Sequence, residues 1–570
     1  MVTGSDFGQS PGHMITTVPK PFSSASVFLI TELSKEICDE DYWKGGECLR
    51  KIPSTMSTQH PDNVTLPSWV EGEIIAGDDE VYETYFVYRE LKCEEQMWDW
   101  EGKDVDPNIV RKLLATHPDF FKEHILGEDV FLTYRVPNPS VETTERKVLI
   151  EALESIPRCF DIAESVYGSK LSPPVFEVII PFTTSHLELL RVASCYSKII
   201  VGKEKMKLCE SDGMSVEDWV GSFEPKKVEM IPLIEDKESL SEIDQILIEY
   251  IRQAKPSYLR VFLARSDPAL NYGLIPAVLL IKLALSKMRA VSENSRVKIF
   301  PIIGTGSLPF RGHLKPNNID NFLVEYAGVK TVTVQSALKY DFEKNTAMKT
   351  IDKLNRALQK KDAKTMTGEE EDEIEGITRA FTENYQRRIE KLSGIINYVA
   401  RFMPRRRARK LHIGLFGYSR EVGTTRLPRA IKFTAVMYSL GIPPELVGAN
   451  AFAELSEREW QLLEEYYVNW KEDLKSASEF LCWQNLNYLL GEKEIVDKVT
   501  KKFKLQEVIP EVIKDLEFLE QATGISMGPK NLDHRKHENI VNNILISLAR
   551  EPNEAPRYIV EAARIRHSLG

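Results

Sequence analysis

From Ile52 to about Asp341 the chain alternates short apolar runs, rich in β-branched residues, with longer stretches of helical spacing. A repeated strand and helix bury both faces of the strand only in a parallel sheet covered by helices, so the alternation predicts βα units. How the runs end narrows the choice. MWDWEGK ends in Asp99 and Glu101, VFLTYRVPN in Arg135, and FEVIIPFTTS in Thr183 to Ser185. VEMIPLIED ends in Glu235, and YLRVFLARSD in Arg265 and Asp267. VKIFPIIGTGSLPFRG ends in a Gly-rich turn with Arg311, and TVTVQSALKYD in Lys339 and Asp341. With one further strand before Ser57 to Asn63 the count is eight. Strands that stay apolar until a charge appears at the carboxyl end suit an α/β fold of the (β/α)8 TIM-type barrel, whose site is built at that face. A doubly wound open sheet has the same periodicity and remains the alternative, since periodicity does not show closure; the count of eight favours the barrel.

The chain has 570 residues, too many for one simple domain, so an elaborated barrel and a two-domain protein both fit. After the acidic stretch Gly368 to Glu375 the spacing of Leu, Ile, Trp and Tyr is helical, so about 360–570 is predicted as helices packed on the barrel. One apolar run, HIGLFGYSR, interrupts them. Residues 1–50 mix Gly, Ser and Pro with isolated apolar runs and predict a poorly ordered N-terminal extension. The predicted organisation is therefore 1–50 as extension and 51–570 as barrel with helical elaboration.

No run approaches the roughly 20 apolar residues of a membrane-spanning helix, and the start, MVTGSDFGQSPGHM, lacks the order of a secretory signal, which predicts a soluble, cytoplasmic protein. The seven cysteines are scattered without a CxxC pair and read as reduced packing thiols. A net charge of −11 argues against broad nucleic-acid binding. The basic segment Arg401 to Lys410 departs from that average and reads as a solvated face or subunit contact, with a nucleic-acid patch as the competing reading.

Candidate chemistry collects at the predicted strand ends. In STQHPDN, His60 precedes a proline that disfavours helix, so its imidazole sits on a turn, where it is either a general base or merely structural. Glu235 and Asp267 end consecutive strands, and two hard oxygen donors there suit Mg2+ or Mn2+; helix capping or salt bridging is the plainer use of each. Arg135, Arg265, Arg311, Arg420 and Arg429 stand beside glycines, prolines or strand ends, and guanidinium groups gathered at a barrel mouth imply an anionic substrate. The turn GTGSLPFRG lacks a Walker ending, but Gly304 and Gly306 would let an anion approach backbone N–H groups beside Arg311. These residues allow phosphoenolpyruvate, a phosphosugar or a dicarboxylate as substrate.

The segment MSTQHPDNV resembles the opening signature of archaeal-type phosphoenolpyruvate carboxylases. MWDWEGKDVDP, LTYRVPNPSVE, IIPFTTS, GTGSLPFRGHL, TVTVQSA, GYSR with LPRAIKF, and IVEAARIRHSLG are similar to that family in the same order, from about residue 52 onward. The resemblance implies a homotetramer and a Mg2+- or Mn2+-dependent reaction of phosphoenolpyruvate with bicarbonate to oxaloacetate and phosphate. It implies that carboxyphosphate and a metal-stabilised enolate of pyruvate form, and that the enolate captures the carbon dioxide released. By the same resemblance His60 assists carboxyphosphate breakdown and shields the enolate, Glu235 and Asp267 bind the metal, and Arg135, Arg311, Arg420 and Arg429 hold substrate anions. The larger bacterial and plant enzymes have a histidine and an additional arginine in the Gly-rich loop where this chain has Ile303 and Thr305. A non-catalytic barrel, or a lyase acting without bicarbonate, are the competing readings.

Overall fold

The computed structural model describes residues 50–168, 172–409, 421–422 and 425–570. Strands β1 (Thr55–Ser57), β2 (Glu95–Asp99), β3 (Phe131–Arg135), β4 (Glu177–Ile180), β5 (Glu229–Ile234), β6 (Tyr258–Ala264), β7 (Lys298–Gly304) and β8 (Thr331–Val334) form a closed barrel. All neighbours pair in parallel, and β1 closes on β8 with Met56 opposite Thr333. The closed barrel therefore holds over the open sheet.

Successive side chains on a strand point to opposite faces, so every second residue enters the barrel and builds layers. The lowest layer is charged. Arg260 Nη2 donates to Glu95 at 2.7 Å and Nη1 to Glu177 at 2.6 Å, all three side chains being buried. Above it Met56, Met97, Ile179, Leu233, Phe262 and Ile302 fill the middle. Two residues further along, the same parity brings Asp99, Arg135, Ala264 and Gly304 to the carboxyl mouth. Charged groups at both ends and an apolar plug between them make the interior a packed core, not a pore.

The helix Leu274–Ser295 is buried on nearly every side, which its almost continuous apolar sequence requires. The barrel covers one side, and the helix Gly368–Val399 covers another. The acidic stretch of the sequence supplies the first turn of that long helix, where Thr367 and Glu370 form a capping box and carboxylates face the positive end of the helix dipole. Helices Ala430–Leu440, Val508–Thr523, Leu532–Arg550 and Ala555–Arg566 share one continuous apolar core with these elements. The described cysteines Cys93, Cys159, Cys195, Cys209 and Cys482 are free thiols. Among the described residues no helix is long and apolar enough to cross a membrane. The 1–50 extension, apart from Arg50, and the run HIGLFGYSR lie outside the described residues.

Candidate active site

One cavity opens at the carboxyl face of the barrel. His60, Arg135, Glu235, Arg265, Asp267, Gly304, Arg311 and Arg429 all line it, although they come from segments spread over most of the described chain. Strand geometry explains the convergence, since each residue lies at or just past the end of its strand or at a helix start facing the same mouth. Arg420 lies outside the described residues. Phe262, Phe182 and Ile431 supply apolar wall.

His60 follows β1, and its Nδ1 is 2.7 Å from Thr58 Oγ1, a contact that fixes the ring. Burial, then the positive charges of Arg135 and Arg311, push its pKa well below the ordinary value. The imidazole is therefore neutral at pH 7, able to accept a proton and without the acidic proton of an imidazolium.

Glu235 and Asp267 meet as expected. Burial and the charges of Asp267 and Glu101 push the Glu235 carboxyl well up, against the smaller effects of Arg135 and the Phe182 N–H. That N–H reaches Glu235 Oε2 at 2.9 Å because Phe182 adopts a left-handed φ of 49°, a costly conformation that here aims a donor into the site. Carboxylates crowded to the point of repulsion are a donor set suited to a hard divalent cation, the remaining positions falling to water or substrate oxygens. Among the described residues no group of three or more His, Cys, Asp or Glu side chains is arranged to hold a metal, so the fit rests on the pair.

The arginines differ in what already occupies them. Arg135 makes a two-pronged pair with Asp99 at 2.9 and 2.7 Å and approaches Glu101 at 3.4 Å. Arg311 donates to Gly570 O at 2.6 Å, to Asp62 at 3.3 Å, to Ser266 Oγ at 3.1 Å and to Gln335. Arg265 donates to Tyr326 and Phe310 O, while its Nη2 is buried without a partner.

The Gly-rich turn works differently from the sequence expectation. Three of its N–H groups are already used: Gly306 N donates to Arg311 O at 2.7 Å, Gly312 N to Pro309 O at 3.1 Å, and Thr305 N to Thr333 Oγ1 at 2.8 Å. Gly306 is not on the cavity wall; it lies behind Arg311, where a Cβ would stand 2.8 Å from Nη1. At Gly306 the turn therefore presents the Arg311 guanidinium in place of an amide, while Gly304 lies on the cavity wall. From behind, Phe310 N donates to Glu445 Oε1 at 2.9 Å, which also accepts from Tyr438 at 2.8 Å.

Three strand-end expectations are corrected. Lys339 lies on a short helix after β8 and bonds buried Glu83 at 2.8 Å, and Asp341 accepts from the Val64 and Thr65 N–H groups. Gln335 takes the position at the mouth that they were expected to hold. Ser185 caps the helix His186–Cys195. The basic segment is not simply a solvated face: Arg401 and Arg405 are exposed, but Arg407 is buried on Glu83 and Arg409 lines the cavity. Arg406 donates to Asn63 O, so among the described residues engaged and buried arginines interrupt the basic row; Lys410 lies outside them. Gln335 and Arg409 are thus site residues that the sequence reading did not assign, and Glu101, noted only as a strand end, joins them.

A family model described as phosphoenolpyruvate carboxylase matches residues 52–570. The chain belongs to that family. A phosphoenolpyruvate carboxylase of Metallosphaera sedula is 46% identical over 523 residues, covering 92% of this chain and 100% of the relative. One from Caldivirga maquilingensis is 44% identical with the same coverage. Another, from Methanothermobacter thermautotrophicus, is 49% identical over 430 residues, 75% of this chain and 87% of the relative. The archaeal-type phosphoenolpyruvate carboxylase signatures read from the sequence thus extend to the whole barrel and its helices.

Proposed function

We propose that the protein carboxylates phosphoenolpyruvate with bicarbonate, giving oxaloacetate and phosphate. The observation that carries this reading is the gathering of a neutral histidine, a carboxylate pair and several arginines in one cavity of a phosphoenolpyruvate carboxylase family chain. A bicarbonate oxygen attacks phosphorus, the P–O bond to the enol oxygen breaks, and carboxyphosphate and pyruvate enolate result. Carboxyphosphate gives up its proton and splits into carbon dioxide and phosphate, and the enolate carbon then bonds to the carbon dioxide.

Each described group has a task that its surroundings support, and Arg420 takes the role that the family resemblance implies. Neutral His60 accepts the carboxyphosphate proton and returns it to the departing phosphate, and its remaining ring N–H is too weak an acid to protonate the enolate, which is left to react with carbon dioxide. Arg135, Arg311, Arg429 and Arg420 hold oxyanions and neutralise charge as the phosphoryl group moves. Phe182, Phe262 and Ile431 restrict water beside the enolate. Glu235 and Asp267 would hold Mg2+ or Mn2+, which when bound supplies Lewis-acid stabilisation of negative oxygen.

The same reading includes a cytosolic homotetramer. Ile199, Trp219 and Val220, the last two 70% and 57% exposed, are apolar surface of the kind that subunit contacts cover. The test is an oxaloacetate assay on the whole chain with phosphoenolpyruvate and Mg2+, bicarbonate being added or withheld. Bicarbonate-dependent oxaloacetate is expected; none under any condition overturns the proposal.

A further inference from the structure

The chain around Arg409 is docked in an extended form. Ile75 N donates to Arg406 O at 3.0 Å, and Ala408 N to Ile75 O at 3.1 Å, so Arg407 makes a short parallel bridge with Ile75. In extended chain, residues two apart share a face, and Arg407 and Arg409 are such a pair. Arg407 grips Glu83 with both Nη atoms and bonds Ser336 at 2.9 Å, and Glu83 also receives Lys339. Burial would raise the Glu83 carboxyl, but Arg407 and Lys339 outweigh it and hold it far down, so the anchor stays ionised. Two residues along, Arg409 lies on the cavity wall beside His60, Arg135 and Arg429.

We propose that Arg409 is a substrate-binding residue whose guanidinium takes an oxyanion of the reacting molecules, an inference that rests on the carboxylase reading above. Its neighbours set it apart. Arg135 is engaged by Asp99, and Arg311 by Asp62, Gln335 and Gly570. Arg409 has no ion pair among the described residues and keeps its fork of donors for a ligand. Burial, and then the like charge of Arg429, pull its pKa down to about 10, a penalty that a bound anion relieves. A planar fork suits phosphate, carboxylate and bicarbonate alike. Phosphoenolpyruvate and bicarbonate are the two sources of that chemistry, and separate KM values distinguish them.

The experiment compares full-length wild type with Arg409→Gln and Arg409→Lys. Removing a charged hydrogen-bond donor from an anion weakens its binding about 10- to 100-fold. The Gln variant should raise the KM of phosphoenolpyruvate or of bicarbonate by that factor with a smaller change in kcat, and Lys, retaining charge without the fork, should recover part. A rise confined to phosphoenolpyruvate assigns its phosphate or carboxylate to Arg409; a rise confined to bicarbonate assigns that ion. Unchanged KM for both substrates overturns the proposal, as does lower kcat with a lower melting temperature and wild-type KM, the signature of a structural role. Calorimetric titration with inorganic phosphate and with phosphoenolpyruvate separates this inference from the carboxylase reading. A wild type that makes no oxaloacetate sinks that reading, whereas equal affinity of wild type and Gln variant for both probes, together with an unchanged KM for bicarbonate, sinks Arg409.

Discussion

Replacing Glu445 with Gln tests whether the support behind the Gly-rich turn carries a buried ionisable group. Burial pushes the Glu445 carboxyl from its ordinary 4.5 up to about 7. A raised carboxyl binds its proton more tightly in the folded chain, so its contribution to stability is complete below the unfolded value and is lost as pH rises through the folded one. Between 4.5 and about 7 each pH unit removes about 1.4 kcal/mol, roughly 3 kcal/mol in all. Gln keeps an oxygen to accept from Phe310 N and Tyr438 and does not titrate. Its amide takes the place of Oε2, which is buried without a partner, so any packing cost is the same at every pH. Tyr438, Asp473, Lys315 and Arg566 lie around the carboxyl and are common to both proteins. Urea unfolding at pH 5 and pH 8 should therefore show the Gln variant gaining roughly 2.5 kcal/mol relative to wild type on moving to the higher pH, since at pH 5 part of the loss has already occurred. Parallel profiles would refute the argument.

His60→Asn should still release phosphate in a bicarbonate-dependent manner while yielding pyruvate in place of oxaloacetate; an unchanged ratio of oxaloacetate to phosphate removes the imidazole from the second step. Asp267→Asn should abolish turnover and weaken Mn2+ binding in a direct titration while the circular dichroism spectrum stays the same; full activity at ordinary Mg2+ contradicts the carboxylate assignment. Deleting residues 1–48 should leave kcat and KM nearly unchanged, because every family-like motif follows them, and a large loss would mean that the extension contributes to the site.

The barrel was legible because strand termini carry their own signal. An apolar run that ends abruptly in Glu235, or in Arg265 and Asp267, states both where the core stops and which face is the mouth. The signal failed at β8, where TVTVQSALKYD runs from strand to helix: Gln335, uncharged, is the residue at the mouth, and the charges after it turn away to Glu83 and to backbone N–H groups. Arg409 was concealed for another reason. Composition marks a run of arginines as surface, but its carboxylate partner, Glu83, is 324 residues distant from Arg407, and no local pattern reveals such a pairing. Likewise GTGSLPFRG shows that backbone comes close to something, and only the fold shows that this is the Arg311 side chain.

Ring closure between β1 and β8 has a consequence for how the enzyme acquires activity. His60 follows the first strand and Gln335 the last, and Asp62 bonds Arg311, 249 residues away, and Ala337 N, 275 residues away. Contacts of such high sequence separation form late, since loop entropy must be overcome before they return any stabilisation. A chain that has regained its helices but not this seam has Arg311 and Gln335 on one edge and the histidine on the other. Turnover regained after dilution from denaturant is thus a clock for the last step of assembly, running behind the return of helical signal.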